Sequence, residues 1–201
     1  MNLVEEASRL IAIEGHQDHP AQERAVADHL AARLRSLGAQ VELQPVGHDG
    51  RVNVIGRLAG VRPGPVLMLN AHLDTVPPYG MTLTPYVAGG RLIGRGAVDM
   101  KGALAAMIAV CDRFAGRDFA GELMLTGVAG EENGSPGMQA LVEAGVRADF
   151  AIVGEPTMMR VGRAHKGAMW VRATFHGVAT HGSVPQNGVN AVEHAARFVT
   201  A

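Results

Sequence analysis

Residues 66–69, Val-Leu-Met-Leu, form an uninterrupted apolar run. A strand with no polar alternate positions must be covered on both faces, which calls for helices above and below a sheet. The neighbouring segments supply them. Leu3, Val4, Ala7, Leu10 and Ile11 recur at helical spacing, and Gly15 ends that segment. Pro20 is placed to open a second helix, whose Val26, Leu30, Leu34 and Leu37 share a face and whose stop is Gly38. Val41 to Val46 alternates apolar and polar residues, and Arg51 to Leu58 does so less cleanly, so both read as strands. Pro77 to Gly90 is turn-rich and reads as loop. Met100 to Phe114, apolar and rich in alanine, reads as a buried helix. Glu122 to Val128 is a further strand, Ser135 to Glu143 a short helix and Phe150 to Val153 a last strand. This alternation predicts an α/β fold, a sheet with helices on both faces.

Composition excludes several classes. The chain has 201 residues, 47% of them apolar, which is enough for a core, and a formal net charge of -1 without long runs of one sign. That is neither a basic nucleic-acid groove nor an acidic tail. Cys111 is the one cysteine, so an internal disulfide cannot form. The opening residues carry acids where a secretory leader carries bases, and no apolar run approaches the ~20 residues of a membrane helix. The expectation is a soluble, cytoplasmic protein with neither nucleic acid nor membrane as partner.

In α/β sheets ligands gather beyond the carboxyl ends of strands. His72 and Asp74 follow the run VLMLNA. Asp99 lies in GRGAVDMKG, just before the predicted buried helix, Glu131 and Glu132 follow ELMLTGVA, and Glu155 follows DFAIVG. One acid at a strand end is ordinary. One histidine and five acids at the same edge outline a metal site, because that much negative charge needs a cation. Histidine with carboxylates and no cysteine suits zinc, cobalt or manganese. Asp74, two residues after His72, is spaced to accept the second ring N–H of His72 and orient it. Asp99 has two oxygens and could bridge two ions ~3.5–4 Å apart. Neighbours such as Glu131 and Glu132 point in different directions, so one can bind metal while the other takes a proton from the attacking water.

The four motifs HLDTVP (72–77), GRGAVDMKG (94–102), GEENG (130–134) and GEPT (154–157) resemble, in order and spacing, the successive signatures of the acetylornithine deacetylase / succinyl-diaminopimelate desuccinylase family, which also holds aminoacylases and carboxypeptidases. The resemblance runs over roughly residues 2–201. It implies a zinc-exopeptidase-like catalytic domain, a mixed twisted sheet with helices on both faces, over residues 1–167. The start of a smaller α+β lid domain would occupy 168–201. It also implies two divalent metal ions, with His72 and Glu155 on one, Asp99 bridging, and Glu132 on the other. Glu131 becomes the general base and Asp74 the support of His72. The Asp99–Met100 peptide is expected to be cis. The stretch 162–196 resembles the crossing into the lid, where His181 matches a histidine that stabilises the oxyanion in the partner subunit's active site of homodimeric relatives. The implied activity is hydrolysis of the amide of a small N-acyl amino acid or peptide substrate.

The pattern departs from the family in one respect. Family chains are longer and supply a last histidine for the second metal near their C-terminus, whereas no counterpart precedes Ala201. The expectation is a fragment that binds the second metal weakly and turns over little substrate, with a lid remnant too small to hold its own core. A non-catalytic metal- or partner-binding remnant is the alternative of another class. A dipeptidase or glutamate carboxypeptidase differs only in substrate. Cys111 reads as an inert core thiol, Lys101 as structural, and His16, His19, His29, His48, His165, His176 and His194 as surface or structural residues. Gly96–Gly102 lacks the ending of a phosphate loop, and residues 133–137 lack the first glycine of a nucleophile elbow.

Overall fold

A computed structural model describes the chain apart from residues 20, 82, 165, 168 and 170. The expected helix-opening role of Pro20 and the reading of His165 therefore lie outside the described residues. The chain divides into two compact units, Met1–Arg160 and Val161–Ala201.

The first unit is built on strands β1 (Gln40–Val46), β2 (Arg51–Ala59), β3 (Arg62–His72), β6 (Ala120–Val128) and β7 (Phe150–Val153), in the spatial order β1-β2-β6-β3-β7. β1 and β2 pair antiparallel, as do β2 and β6, while β3 runs parallel to both β6 and β7. The sheet is therefore mixed, as the family resemblance implies. The parallel trio decides where chemistry can sit. His72 is level with Val128, and Asn70 with Val153, so three chain exits leave the same edge together.

Side-chain alternation then divides the core. Val54, Leu58, Leu69, Ala71, Leu123 and Leu125 face one way, against α1 (Leu3–Ala12), α2 (Arg24–Ser36) and α3 (Gly102–Phe114). Ile55, Met68, Met124 and Val128 face the other way, against Leu141 of α4 (Pro136–Glu143). The apolar run at 66–69 is thus covered on both sides, the arrangement its composition demands. Within α2 the buried residues are Val26, Ala27, Leu30, Ala31 and Leu34, a single stripe at helical period.

Three boundaries differ from the sequence reading. The second helix spans Arg24–Ser36; residues 21–23, read as its first turn, form a turn outside it, and Glu23 is buried there. The segment read as loop from Pro77 to Gly90 contains β4 (Tyr86–Ala88), which pairs antiparallel with β5 (Arg91–Ile93). Gly89 and Gly90 supply consecutive φ values of 56° and 72°, which a two-residue hairpin turn of this twist requires. Strands of three residues are too short for periodicity to register. The third helix starts at Gly102, preceded by a wide turn over Ala97–Lys101, and the Asp99–Met100 peptide within that turn is cis.

In the second unit, Val178 and Val189 form an antiparallel bridge. α5 (Ala191–Thr200) follows, its first turn capped by the Asn190 side chain, which accepts from Val192 N–H at 3.0 Å. Phe198 of α5 packs its ring 5.5 Å from that of Phe175. Among the described residues, no helix is long and apolar enough to cross a membrane.

Candidate metal centre

The parallel strand ends bring the predicted acids and imidazole together. His72, the last residue of β3, is 2% exposed. Its Nε2 lies 2.8 Å from Asp99 Oδ1 and 3.7 Å from Glu155 Oε2. Donor atoms of His72, Asp99 and Glu132 all fall within 4.8 Å of one another. Asp99 comes from the wide turn before α3, Glu132 from the short 3-10 turn Glu131–Asn133 after β6, and Glu155 from the segment following β7. Separate chain segments thus converge on one imidazole.

The orientation of His72 is set by its other nitrogen. Nδ1 stands 3.0 Å from the main-chain carbonyl oxygen of Asp74 and 3.5 Å from that residue's carboxylate. Sequence spacing had pointed to the carboxylate; the nearer acceptor is the carbonyl. With Nδ1–H donated there, Nε2 is the nitrogen left to face Asp99. The main-chain N–H of His72 in turn donates to Met100 Sδ at 3.1 Å.

The Asp74 carboxylate has further partners. It accepts the N–H of Glu131 on one oxygen and that of Glu132 on the other, each at 3.0 Å. Burial raises its pKa, but the His72 hydrogen bond and charge and these two amides outweigh burial and hold it below the ordinary value. One buried carboxylate therefore ties the end of β3 to the turn that follows β6. Glu131 and Glu132 both project into exposed positions from that turn.

Electrostatics at the cluster favour a cation. Burial works against a charged His72, yet its hydrogen bonds to Asp74 and Asp99, with their charges, lift its pKa to about 9. Glu132 and Glu155 are both raised, first by burial and then by the charge of Asp99. Carboxylates crowded closely enough to oppose each other's ionisation are what a divalent ion relieves. A nitrogen and hard oxygens without sulfur fit zinc, cobalt or manganese. A cavity of about 400 Å³ opens beside the cluster, with Thr75, Val76, Leu92, Arg95, Asp99 and Glu132 in its wall.

His181 belongs to the second unit, where it is exposed and its Nδ1 lies 2.8 Å from Ser183 Oγ. Cys111 is buried on α3, and burial pushes its thiol up to about 12. Lys101 is 2% exposed and its Nζ donates to the carbonyl of Ile13 at 2.6 Å; burial pulls its pKa down to about 8 against the charges of Asp74 and Glu14. His29 bonds the buried Glu6 at 2.7 Å, a structural role. Two residues whose side chains bond the main chain of the site-bearing segments, Met100 to His72 and Asn53 to Ala129, were missed in the sequence. Met100 gives no signal, since any apolar residue suits its place. Asn53 does, as a lone amide inside the run Val52–Ile55.

The Peptidase family M20/M25/M40 model matches residues 68–199, about two thirds of the chain. The chain belongs to this family. An acetylornithine deacetylase of Proteus mirabilis is 34% identical to this M20 chain over 180 residues, 84% of the chain and 45% of that protein. A succinyl-diaminopimelate desuccinylase of Methylorubrum extorquens is 33% identical over 204 residues, 90% of the chain and 52% of that protein. The M20 chain spans about half the length of the curated relatives it matches. Among solved structures, a tripeptidase from Staphylococcus aureus superposes with a TM-score of 0.71 at 22% identity, over 98% of the M20 chain and 55% of the tripeptidase. That likeness places the fold with M20 catalytic domains.

Proposed function

We propose that this chain carries the metal-binding part of a metal-dependent amidohydrolase, acting on the N-acyl or peptide amide of a small amino-acid derivative. The observation that carries the reading is the convergence of donor atoms of His72, Asp99 and Glu132 within 4.8 Å on the edge of a parallel strand trio. His72 and Glu155 would hold one divalent ion, Asp99 would bridge, and Glu132 would hold a second. Zinc, cobalt and manganese all suit this donor set. When bound, such ions supply Lewis acidity to the amide carbonyl and to water.

The remaining work belongs to the chain. Glu131 sits beside Glu132 on the same turn, with its main-chain N–H tied to Asp74. Its carboxylate would accept the proton of the attacking water and return it to the leaving amine nitrogen. Asp74 would keep that turn and the His72 ring in fixed relation. The neighbouring cavity is of a size for a small amino-acid derivative. Relatives named as a deacetylase and a desuccinylase support the substrate class, an acylated amino acid.

The test is cobalt(II) titration of the chelator-treated chain, followed by visible absorption. The wild type is expected to bind, His72→Gln and Glu132→Gln to bind at least about tenfold more weakly, and Glu131→Gln to bind as the wild type does. Binding that is indifferent to His72 and Glu132 would overturn the assignment. Hydrolysis assays with N-acyl amino acids and dipeptides then rank the substrates.

A further inference from the structure

Glu131 and Glu132 are carried by a loop that leaves β6 after Val128 and runs into the first turn of α4, at Pro136 and Gly137. We propose that Asn53, on β2, is a positioning residue that closes the neck of this loop and so sets where the two glutamates stand. The inference rests on the reading of Glu132 as a metal ligand.

Asn53 is 0% exposed, in the middle of a strand whose neighbours Val52, Val54 and Ile55 are core. A buried amide there costs stability unless its donors and acceptor are matched. They are matched by both ends of the loop. Its Oδ1 accepts the N–H of Ala129 at 3.0 Å, and its Nδ2 donates to the carbonyl of Gly137 at 2.8 Å. Nδ2 also donates to Gln44 Oε1 at 2.7 Å. Gln44 on β1 continues outward, with its Nε2 donating to Ala140 O in α4 at 3.0 Å.

The two ends of the loop also bond directly, Gly137 N–H to Ala129 O at 3.0 Å. This approach is so close that a Cβ on residue 137 would stand 2.4 Å from Ala129 N and 2.5 Å from Asn53 Oδ1, so only glycine fits. Seven residues, 130–136, are therefore held at the base by an amide from the sheet. At the top, the Asp74 carboxylate holds the N–H groups of Glu131 and Glu132. Asp74 fixes one side of the turn; Asn53 fixes the anchor from which it rises. None of the three contacts of Asn53 is to the cluster itself, so it acts through the loop.

The experiment uses the 201-residue chain as Asn53→Leu, Asn53→Asp and Gln44→Met variants. Two readouts are taken: amide hydrogen exchange over residues 129–137 in the chelator-treated protein, and cobalt(II) affinity. Asn53→Leu is expected to speed exchange at the loop amides and to weaken cobalt binding about 10- to 100-fold. Asn53→Asp keeps the acceptor for Ala129 N–H but sets oxygen against both Gly137 O and Gln44 Oε1, and should likewise speed loop exchange relative to the wild type. If Asn53→Leu does not fold, Gln44→Met decides, with an expected loss in cobalt affinity of about fivefold, the weight of the one hydrogen bond it takes from Asn53. Variants that melt earlier but retain wild-type loop exchange and cobalt affinity would show Asn53 to be merely structural and overturn the proposal. Absence of cobalt binding in the wild type would instead remove the metal reading, and loop exchange would still decide the clamp.

Discussion

Replacing His72 by glutamine in the metal-free chain should change how stability depends on pH. The ring is 2% exposed, and Asp99 and Asp74 lift its pKa from an ordinary 6.5 to about 9. At about 1.36 kcal/mol per pKa unit, that rise is worth roughly 3 kcal/mol. Because the folded state holds the proton more tightly, the stabilisation is fully present below the unfolded value near 6.5 and is lost as pH rises through about 9. Urea melts of chelator-treated wild type and His72→Gln, repeated between about pH 6 and pH 10, should show the gap between the two closing by roughly 3 kcal/mol. Taking the difference cancels other groups that titrate in this range, Lys101 among them. Metal binding should show the opposite trend. The ion needs the lone pair that the proton occupies, so apparent affinity should rise about tenfold per pH unit up to about pH 9, with release of one proton. A gap between wild type and His72→Gln that stays constant with pH would refute the charged, doubly paired imidazole on which this reasoning stands.

Asp74→Asn should destabilise the chain by about 2–4 kcal/mol, because an amide can accept only one of the two N–H groups at 3.0 Å and sets its own NH2 against the other; denaturant midpoints measure this. Glu23→Gln should gain stability relative to wild type between pH 4 and pH 7: burial raises the Glu23 pKa, so the wild type loses stability as that carboxyl ionises, and the glutamine does not. An unchanged difference in urea melts at the two pH values would contradict it. Cys111 should resist thiol reagents in the native chain at pH 8 and react on unfolding, since burial pushes its thiol up to about 12; stopped-flow labelling with and without denaturant distinguishes the two states.

The fold was legible wherever local pattern and burial coincide. The apolar run at 66–69, the stripe Val26–Leu30–Leu34 and the alanine-rich helix after Asp99 each require one environment, and each has it. Pattern did not mark the turn at residues 21–23 ahead of α2, where Glu23 is buried, or the β4–β5 hairpin, whose strands are too short to show a period.

His72, Asp74, Asp99, Glu131, Glu132 and Glu155 could be listed from strand ends alone, because acids and an imidazole gathered at one sheet edge are costly without a cation. Their order in space was not in that list. Sequence spacing placed Asp74 beside His72, and the structure sharpened this: the nearest acceptor to Nδ1 is the Asp74 carbonyl, and the carboxylate also holds the Glu131–Glu132 turn. Asn53 owes its importance to partners 76 and 84 residues away, Ala129 and Gly137. The sequence by itself determined which chemistry is available, since residue types and periodicity are local properties. Only the tertiary structure decided which atoms meet, since hydrogen bonds between distant segments depend on strand order and register, and no local pattern encodes those.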